Sequence, residues 1–204
     1  MTRRIVVVSA GLSSPSSTRL LGDRLGAATA DALGRHGERV EVEVVELREH
    51  AVDLANHLVT GFASARLSEV IEQVTGADAL VVVSPIFNAS YSGLFKTFVD
   101  VLPMESLTGM PVLLAATGGT ARHSLALEHA LRPLFAYLRT VTVPTGVFAA
   151  TEDWASAGDL NRRIERAAGE LADLVAARLA STVAADPYDL GVAGFAALLP
   201  AGDR

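Results

Sequence analysis

Five short apolar runs rich in β-branched residues recur along this chain, and segments with helical patterns separate them. The runs cover residues 5–9, 40–47, 79–84, 111–116 and 141–148. Such runs are typical of buried parallel strands, which need a long and usually helical crossover between them. The alternation therefore predicts an α/β protein with a doubly wound, five-stranded parallel sheet.

The segments between the runs carry apolar residues at helical spacing. They cover residues 18–36, 64–75, 92–102 and 123–138. Four leucines of the last segment are expected on its buried face: Leu125, Leu131, Leu134 and Leu138. The second strand alternates valine with Glu41 and Glu43, which indicates an edge strand with one face in water. An edge position is expected for this strand in a sheet of order 2-1-3-4-5.

The carboxyl-terminal part of the chain divides into a helix and a tail. Residues 160–182 place leucine, isoleucine and alanine on one helical face. We therefore expect a single domain over residues 1–183. Residues 184–204 are rich in glycine, alanine and apolar side chains, which would be unfavourable in water. This tail is expected to pack on a partner subunit, in a homodimer or homotetramer.

Composition excludes several classes of function. The net charge of -6 and the absence of a Lys/Arg block argue against a nucleic-acid partner. Because the chain has no cysteine, redox chemistry would need a bound organic cofactor. The apolar run at residues 5–8 is too short for a signal sequence, and no stretch reaches the roughly 20 apolar residues of a membrane span. We expect a cytoplasmic protein without a membrane partner.

Ligands of open parallel sheets bind beyond the carboxyl ends of the strands, so the loops there are the candidate site. The first loop, residues 9–18, contains six Ser/Thr residues and leads directly into a helix. A phosphate would meet free N–H groups and the positive end of the helix dipole there. A single hydroxyl capping the helix is the simpler alternative. The loop lacks both the dinucleotide and the P-loop glycine patterns, which favours a monophosphate.

The second and third candidate loops follow the third and fourth predicted strands. In the second, Pro85 favours an extended Ser84, Asn88 suits a turn, and a helix begins near residue 92 or 93. Phe87 could border an aromatic ring or simply lie in the core. In the third, two consecutive glycines indicate either a close approach of the backbone to a ligand or a turn with positive φ.

The sequence resembles the NAD(P)H-dependent FMN reductases of the flavodoxin-like superfamily, particularly the alkanesulfonate-type flavin reductases of two-component monooxygenases. The resemblance spans residues 5–148. It rests on SPIFNASYSGLFKT from Ser84, on Leu102-Pro103, and on ATGGT from Ala116 ahead of Leu131-Arg132-Pro133. It implies a flavodoxin-like fold, FMN as cofactor, NAD(P)H as co-substrate and a monooxygenase as partner. No catalytic acid or base is implied.

The resemblance also implies where the flavin binds. Its phosphate would lie at the first loop, its isoalloxazine along the second and third loops, and NAD(P)H over the exposed face of the ring. The implied cofactor-binding residues are Gly11, Ser13, Ser16, Ser17, Thr18, Pro85, Ile86, Phe87, Asn88, Thr117, Gly118 and Gly119. The first loop lacks the arginine of many relatives. His129 stands where some sulfonate-type reductases have an inserted aromatic residue that loosens FMN binding, and the absence of that aromatic here favours a retained flavin.

Other functions remain open on the sequence. An NAD(P)H:quinone or azo reductase would share the fold and the flavin. A flavodoxin-type electron carrier is a non-enzymatic alternative, although only 5% of the residues are aromatic. Four residues have spacing compatible with a metal site: Glu49, His50, Asp53 and His57. A solvated polar connector explains them more simply, so we predict no metal.

Overall fold

The structure is a computed structural model that describes residues 2–155 and 157–183; the predicted tail, residues 184–204, lies outside the described residues. The strands are β1 (Thr2–Ser9), β2 (Arg39–Glu46), β3 (Ala79–Phe87), β4 (Ser90–Tyr91), β5 (Pro111–Gly118), β6 (Val141–Thr142) and β7 (Val147–Ala150). The α-helices are α1 (Ser17–Arg35), α2 (Ala51–Thr60), α3 (Ala65–Thr75), α4 (Gly93–Asp100), α5 (Arg132–Tyr137) and α6 (Ala157–Val183).

The main sheet is parallel, with the strand order β2-β1-β3-β5-β6. In this order β5 is the fourth main strand, and β6 and β7 share the fifth position. The predicted order 2-1-3-4-5 is therefore confirmed. β2 pairs with β1 and has no second neighbour, so the predicted edge strand is confirmed. The two-residue β4 pairs antiparallel with β3. All main strands therefore present their carboxyl ends at one edge of the sheet, where ligands bind in this architecture.

Two cores cover the two faces of the sheet. On one face, α1 and α6 pack on residues such as Ile5, Val7 and Val81. On the other, α2 to α5 contribute the larger core, which includes Phe95 and Phe135. Since alternate residues of a strand point to opposite faces, each central strand supplies both cores. This doubly covered sheet is the predicted α/β architecture, and it holds the loops at its carboxyl edge on a rigid base.

The fifth position of the sheet differs from its predicted continuous strand over residues 141–148. β6 and β7 pair with the two ends of β5, and residues 143–146 separate them. Pro144 has no N–H for the sheet ladder, which favours the interruption. The guanidinium group of Arg132 donates to the carbonyl oxygens of Val143 and Pro144, both at 3.0 Å. Side-chain contacts thus replace the missing ladder bonds.

The helix predicted over residues 123–138 is also interrupted. A 3-10 turn (Ala121–His123) comes first, then a π-helix (Leu127–Leu131), then α5. A π-helical turn contains an extra residue, so it rotates the preceding residues away from the apolar stripe that follows. Leu131 is fully buried, whereas Leu125, which was predicted to face the core, is 63% exposed. His129 lies within the π-helix and is exposed.

The segment predicted as a polar connector instead forms α2. Leu54 is its only buried residue, so the helix lacks the wide apolar stripe that would have revealed it in the sequence. His50 precedes α2 and is buried. Burial lowers its pKa, and the nearby Arg66 guanidinium lowers it further. None of the described helices is long and apolar enough to cross a membrane.

Candidate functional site

The first loop, between β1 and α1, folds tightly around Gly11. A Cβ atom at Gly11 would lie 2.1 Å from Ser16 Oγ and 3.1 Å from Thr18 Cβ. The close approach therefore requires a glycine. Ser16 Oγ accepts a hydrogen bond from the Arg19 N–H at 3.2 Å and caps α1. The simpler helix-cap interpretation is confirmed for Ser16, whose own hydroxyl hydrogen can still be donated to a ligand.

Thr18 and Thr117 connect the first loop to the third. Their hydroxyl oxygens are 2.8 Å apart, and both side chains are buried. The residues are 99 positions apart in the sequence. This contact brings two of the predicted cofactor-binding residues together, and it uses part of their hydrogen-bonding capacity within the protein.

Ser9 is a functional candidate that the sequence-based list omits. It is the last residue of β1 and is 1% exposed, and its Oγ has no hydrogen-bond partner among the described residues. An unpaired buried hydroxyl costs free energy unless a ligand or water satisfies it. The position at a carboxyl strand end was the available signal, because ligands bind there in parallel sheets. By contrast, Ser13 and Ser17 are exposed.

The basic residue closest to the first loop in sequence is already paired. Arg19 lies on the first turn of α1 and contacts Asp23 at 2.7 Å and Glu46 at 2.6 Å. The hydrogen bond that Arg19 donates to Asp23 holds the pKa of Arg19 above its usual value despite partial burial. The two carboxylates largely neutralise the charge of Arg19. The first loop therefore offers N–H and hydroxyl groups to a phosphate, but little net positive charge.

The second loop is a β-hairpin formed by the end of β3 and β4. Pro85 and Ile86 are buried within β3, and Pro85 lies opposite Thr117 of β5. Asn88 and Ala89 form the two-residue turn with φ of 48° and 67°. Positive φ at both positions is the pattern of a type I′ turn, and it confirms the predicted turn at Asn88. Phe87 is 47% exposed, so its predicted alternative place in the core is wrong.

Ser84 positions this hairpin relative to α4. Its Oγ accepts a hydrogen bond from the Ser92 N–H and donates one to the Pro85 carbonyl oxygen, both at 3.0 Å. Ser92 in turn caps α4 by accepting from the Phe95 N–H. Lys96 forms an ion pair with Asp100 at 2.6 Å, as expected for a solvated helix position. The hairpin is therefore fixed at its base and exposed at its tip.

Gly118 ends β5 and Gly119 follows it, and neither has a positive φ. The turn explanation for these glycines is therefore wrong. A Cβ atom at Gly118 would lie 2.8 Å from Phe148 Cζ, so this glycine makes room for a buried aromatic ring of the protein. A Cβ atom at Gly119 would have no heavy atom within 4 Å. Among the described residues, the space beside Gly119 is therefore open.

The described residues offer other titratable groups near this edge, but no metal centre. Within residues 2–155 and 157–183, no three His, Asp or Glu side chains come together in a geometry that could hold a metal ion. His123 follows the third loop and is exposed. Trp154 packs on the core beside α1, with the Arg24 guanidinium 5.2 Å from its ring centre.

The parallel strand order, the helices on both faces of the sheet and the loops at its carboxyl edge define a flavodoxin-like α/β protein. The family described as NADPH-dependent FMN reductase matches residues 3–155, and the chain belongs to that family.

Similar proteins agree with this assignment. An FMN reductase (NADPH) of Pseudomonas aeruginosa is 38% identical over 179 residues, which is 86% of this chain and 94% of that protein. The NADH-dependent FMN reductase SfnF of Pseudomonas putida is 41% identical over 149 residues, covering 73% of this chain and 78% of that one. The crystal structure of an oxidoreductase from Corynebacterium diphtheriae is 49% identical, with a TM-score of 0.83 over 85% of this chain and 97% of that chain.

Proposed function

We propose that this protein reduces FMN with NAD(P)H and supplies reduced flavin to a partner monooxygenase. The observation that carries the proposal is the junction of the three loops. Thr18 and Thr117 join the first and third loops, Pro85 lies opposite Thr117, and the space beside Gly119 is open. This arrangement fits a flat ring that lies beside a glycine. It also fits a phosphate that binds at a helix N-terminus.

In this proposal the phosphate of FMN binds at the first loop. The N-terminus of α1 supplies backbone N–H groups and a favourable dipole. Ser16 can donate its hydroxyl hydrogen while it caps the helix, and Ser9, whose hydroxyl has no partner among the described residues, lies at the carboxyl end of β1. A monophosphate suits this loop better than a longer phosphate chain, because no lysine or unpaired arginine lies within residues 9–18.

The isoalloxazine ring would lie between the hairpin and the third loop. Pro85, Ile86, Phe87 and Asn88 would border it on one side, and Thr117, Gly118 and Gly119 on the other. The half-exposed Phe87 gains burial if a ring covers it, and burying an aromatic side chain is favourable. Gly119 leaves the ring and the nicotinamide space to approach the backbone closely.

When bound, the flavin supplies the redox chemistry by accepting two electrons from the nicotinamide. The chain's own residues then need only bind the two molecules, align them and exclude water. Alignment to a near-attack distance of about 3 to 3.5 Å accounts for a large part of such rate enhancements.

We also propose a homodimer or homotetramer in the cytoplasm, where NAD(P)H is available. The apolar side chains Phe95, Phe98 and Val99 of α4 are buried, so this helix offers them to the core and not to a partner. The exposed apolar side chains lie nearby instead: Met104 is 93% and Tyr137 is 84% exposed, beside a groove of about 600 Å³. Exposed apolar residues around a groove favour a contact with another subunit.

Steady-state kinetics test the proposed function directly. Purified protein should oxidise NADPH or NADH when FMN is added, and the rate should depend on the FMN concentration. Quinone and azo dye acceptors in parallel assays separate a flavin reductase from the alternative reductases. No nucleotide oxidation with FMN at any concentration would refute the proposal, and light scattering would report the oligomeric state.

A further inference from the structure

The third loop carries an arginine that the proposed flavin site does not use. Arg122 lies three residues after Gly119, in the 3-10 turn Ala121–His123. Its side chain is exposed, and it makes no hydrogen bond or ion pair with the described residues. Its guanidinium group therefore keeps all five N–H donors available for a ligand.

The contrast with the other strand ends makes this observation specific. The first basic residue after each of the other main strands has a carboxylate partner. Arg19 pairs with Asp23 and Glu46, Arg48 with Glu46, Lys96 with Asp100, and Arg162 with Asp159. After β5 the first basic residue is Arg122, and it has no ion pair with any residue that the structure describes. At the edge where the loops converge, Arg122 thus offers an uncompensated positive charge in a chain with net charge -6.

Two acidic residues that follow the third loop in sequence, Glu128 and Asp153, are already paired. Glu128 is held by Arg132 at 2.6 Å, and Asp153 is held by Arg163 at 2.5 Å. The hydrogen bond from Arg132 also holds the pKa of Glu128 below its usual value, so that carboxylate stays ionised within its own pair. The free charge of Arg122 therefore remains available to an anion.

The local geometry directs Arg122 away from the protein. His123 Cβ lies 3.7 Å from the ideal Cβ position of Gly118, so His123 faces back toward the end of β5. A 3-10 turn rotates successive residues by about 120°, which separates the Arg122 side chain from that of His123. Gly119 and Arg122 are at most about 11 Å apart along the chain, since an extended residue spans about 3.3 to 3.6 Å.

We propose that Arg122 binds a phosphate group of the nicotinamide dinucleotide. The inference rests on the proposed function, because it requires the nicotinamide to stack near Gly119. The nucleotide then extends from that position, and its phosphates need a cation or N–H donors that no dinucleotide glycine loop supplies in this chain. A planar guanidinium group with free donors recognises phosphate through paired hydrogen bonds. The group bound is either the pyrophosphate, present in NADH and NADPH, or the 2′-phosphate, present in NADPH alone.

The test is nucleotide binding to the FMN-loaded protein by titration calorimetry. Arg122→Ala should weaken NADP+ binding about 10- to 100-fold, the range expected for lost charge-assisted hydrogen bonds. Arg122→Lys should recover part of this loss, because it keeps the charge without the paired donors. The matched control is Arg39→Ala, which removes an exposed, unpaired arginine at the opposite edge of the sheet and changes the net charge equally.

NAD+ separates the two possible phosphates. If Arg122→Ala weakens NAD+ and NADP+ binding alike, Arg122 binds the pyrophosphate; if it weakens NADP+ binding only, it binds the 2′-phosphate. Unchanged binding of both nucleotides, or an equal loss in Arg39→Ala, would overturn the proposal. A wild-type protein that oxidises no nucleotide refutes the proposed function instead, so the two failures are distinguishable. Unchanged melting temperatures of the variants confirm that only binding was altered.

Discussion

Gly118 and Gly119 are adjacent in the sequence and chemically identical, but their surroundings differ. Gly118 lies against the ring of Phe148, where a Cβ atom would be 2.8 Å from Cζ, whereas Gly119 faces open space. The first glycine serves the packing of the protein, and the second is available to a ligand. Two glycines in a loop therefore do not form one functional unit, and only the three-dimensional neighbours of each reveal its role.

The same division runs through the rest of the site. Thr18, Thr117 and Gly11 are engaged in contacts within the protein. Phe87, Asn88 and Gly119 are exposed at the surface of the same edge. We call the first set the inner group and the second the outer group. Substitutions in the inner group should affect stability first, and substitutions in the outer group should affect ligand binding and turnover first.

The largest expected effect is on turnover in Gly119→Ala. If the flavin and nicotinamide react beside this glycine, a methyl group there displaces them, and a misplacement of about 1 Å can cost about 100-fold in rate. Stability should be unchanged or increase by up to about 1 kcal/mol, because φ is compatible with alanine and the unfolded chain loses entropy. Full turnover with unchanged FMN affinity would contradict the role of the outer group.

Gly118→Ala should show the opposite pattern. Its Cβ must displace the buried Phe148 ring, and overpacking of this kind costs about 1 to 3 kcal/mol. The melting temperature should fall by about 2 to 4 °C for each kcal/mol in a protein of this size. Turnover by the folded fraction should remain. A second substitution, Phe148→Leu, relieves the overlap and should restore part of the stability; no restoration would show that the strain arises elsewhere.

The bond between Thr18 and Thr117 is best measured by a double-mutant cycle. Either Thr18→Val or Thr117→Val alone leaves one buried hydroxyl without its partner, which costs about 1 to 3 kcal/mol. The double variant should cost less than the sum of the two, because both polar groups are removed together. Strictly additive losses in urea unfolding would mean that the two loops are not coupled through this bond.

The smallest effect is expected at the tip of the hairpin. Ala89 has φ of 67°, which glycine adopts without the steric cost of a Cβ atom. Ala89→Gly should therefore raise the unfolding free energy by about 0.5 to 1 kcal/mol, as Asn-Gly is a preferred pair in type I′ turns. Ala136→Gly, an exposed position within α5, provides the opposite control, because glycine destabilises a helix. A loss of stability in Ala89→Gly would contradict the turn assignment.

The sequence was sufficient to predict the sheet and the loops at its carboxyl edge. Strand order, the edge position of β2 and the turn at Asn88 follow from local patterns, because β-branched runs, valine–glutamate alternation and turn residues each have a short-range physical cause. A capping hydroxyl in the first loop was one of the two interpretations of that loop in the sequence, because helix caps also have a short-range cause. Local periodicity failed to predict two features. It missed the π-helix, whose changed geometry turns Leu125 outward. It also missed α2, which buries a single leucine.

Only the tertiary structure decided how the candidate residues divide between packing and ligand. The bond between Thr18 and Thr117 joins residues 99 positions apart, and the overlap at Gly118 depends on Phe148 of another strand. Arg122 likewise has no hydrogen bond or ion pair with the described residues, which its position in the sequence alone does not determine. Residue type and spacing describe what a side chain can do. Atoms that are distant in sequence decide whether a polar group already has a hydrogen-bond partner, whether a space is filled and whether a charge is paired. Only folding brings those atoms together.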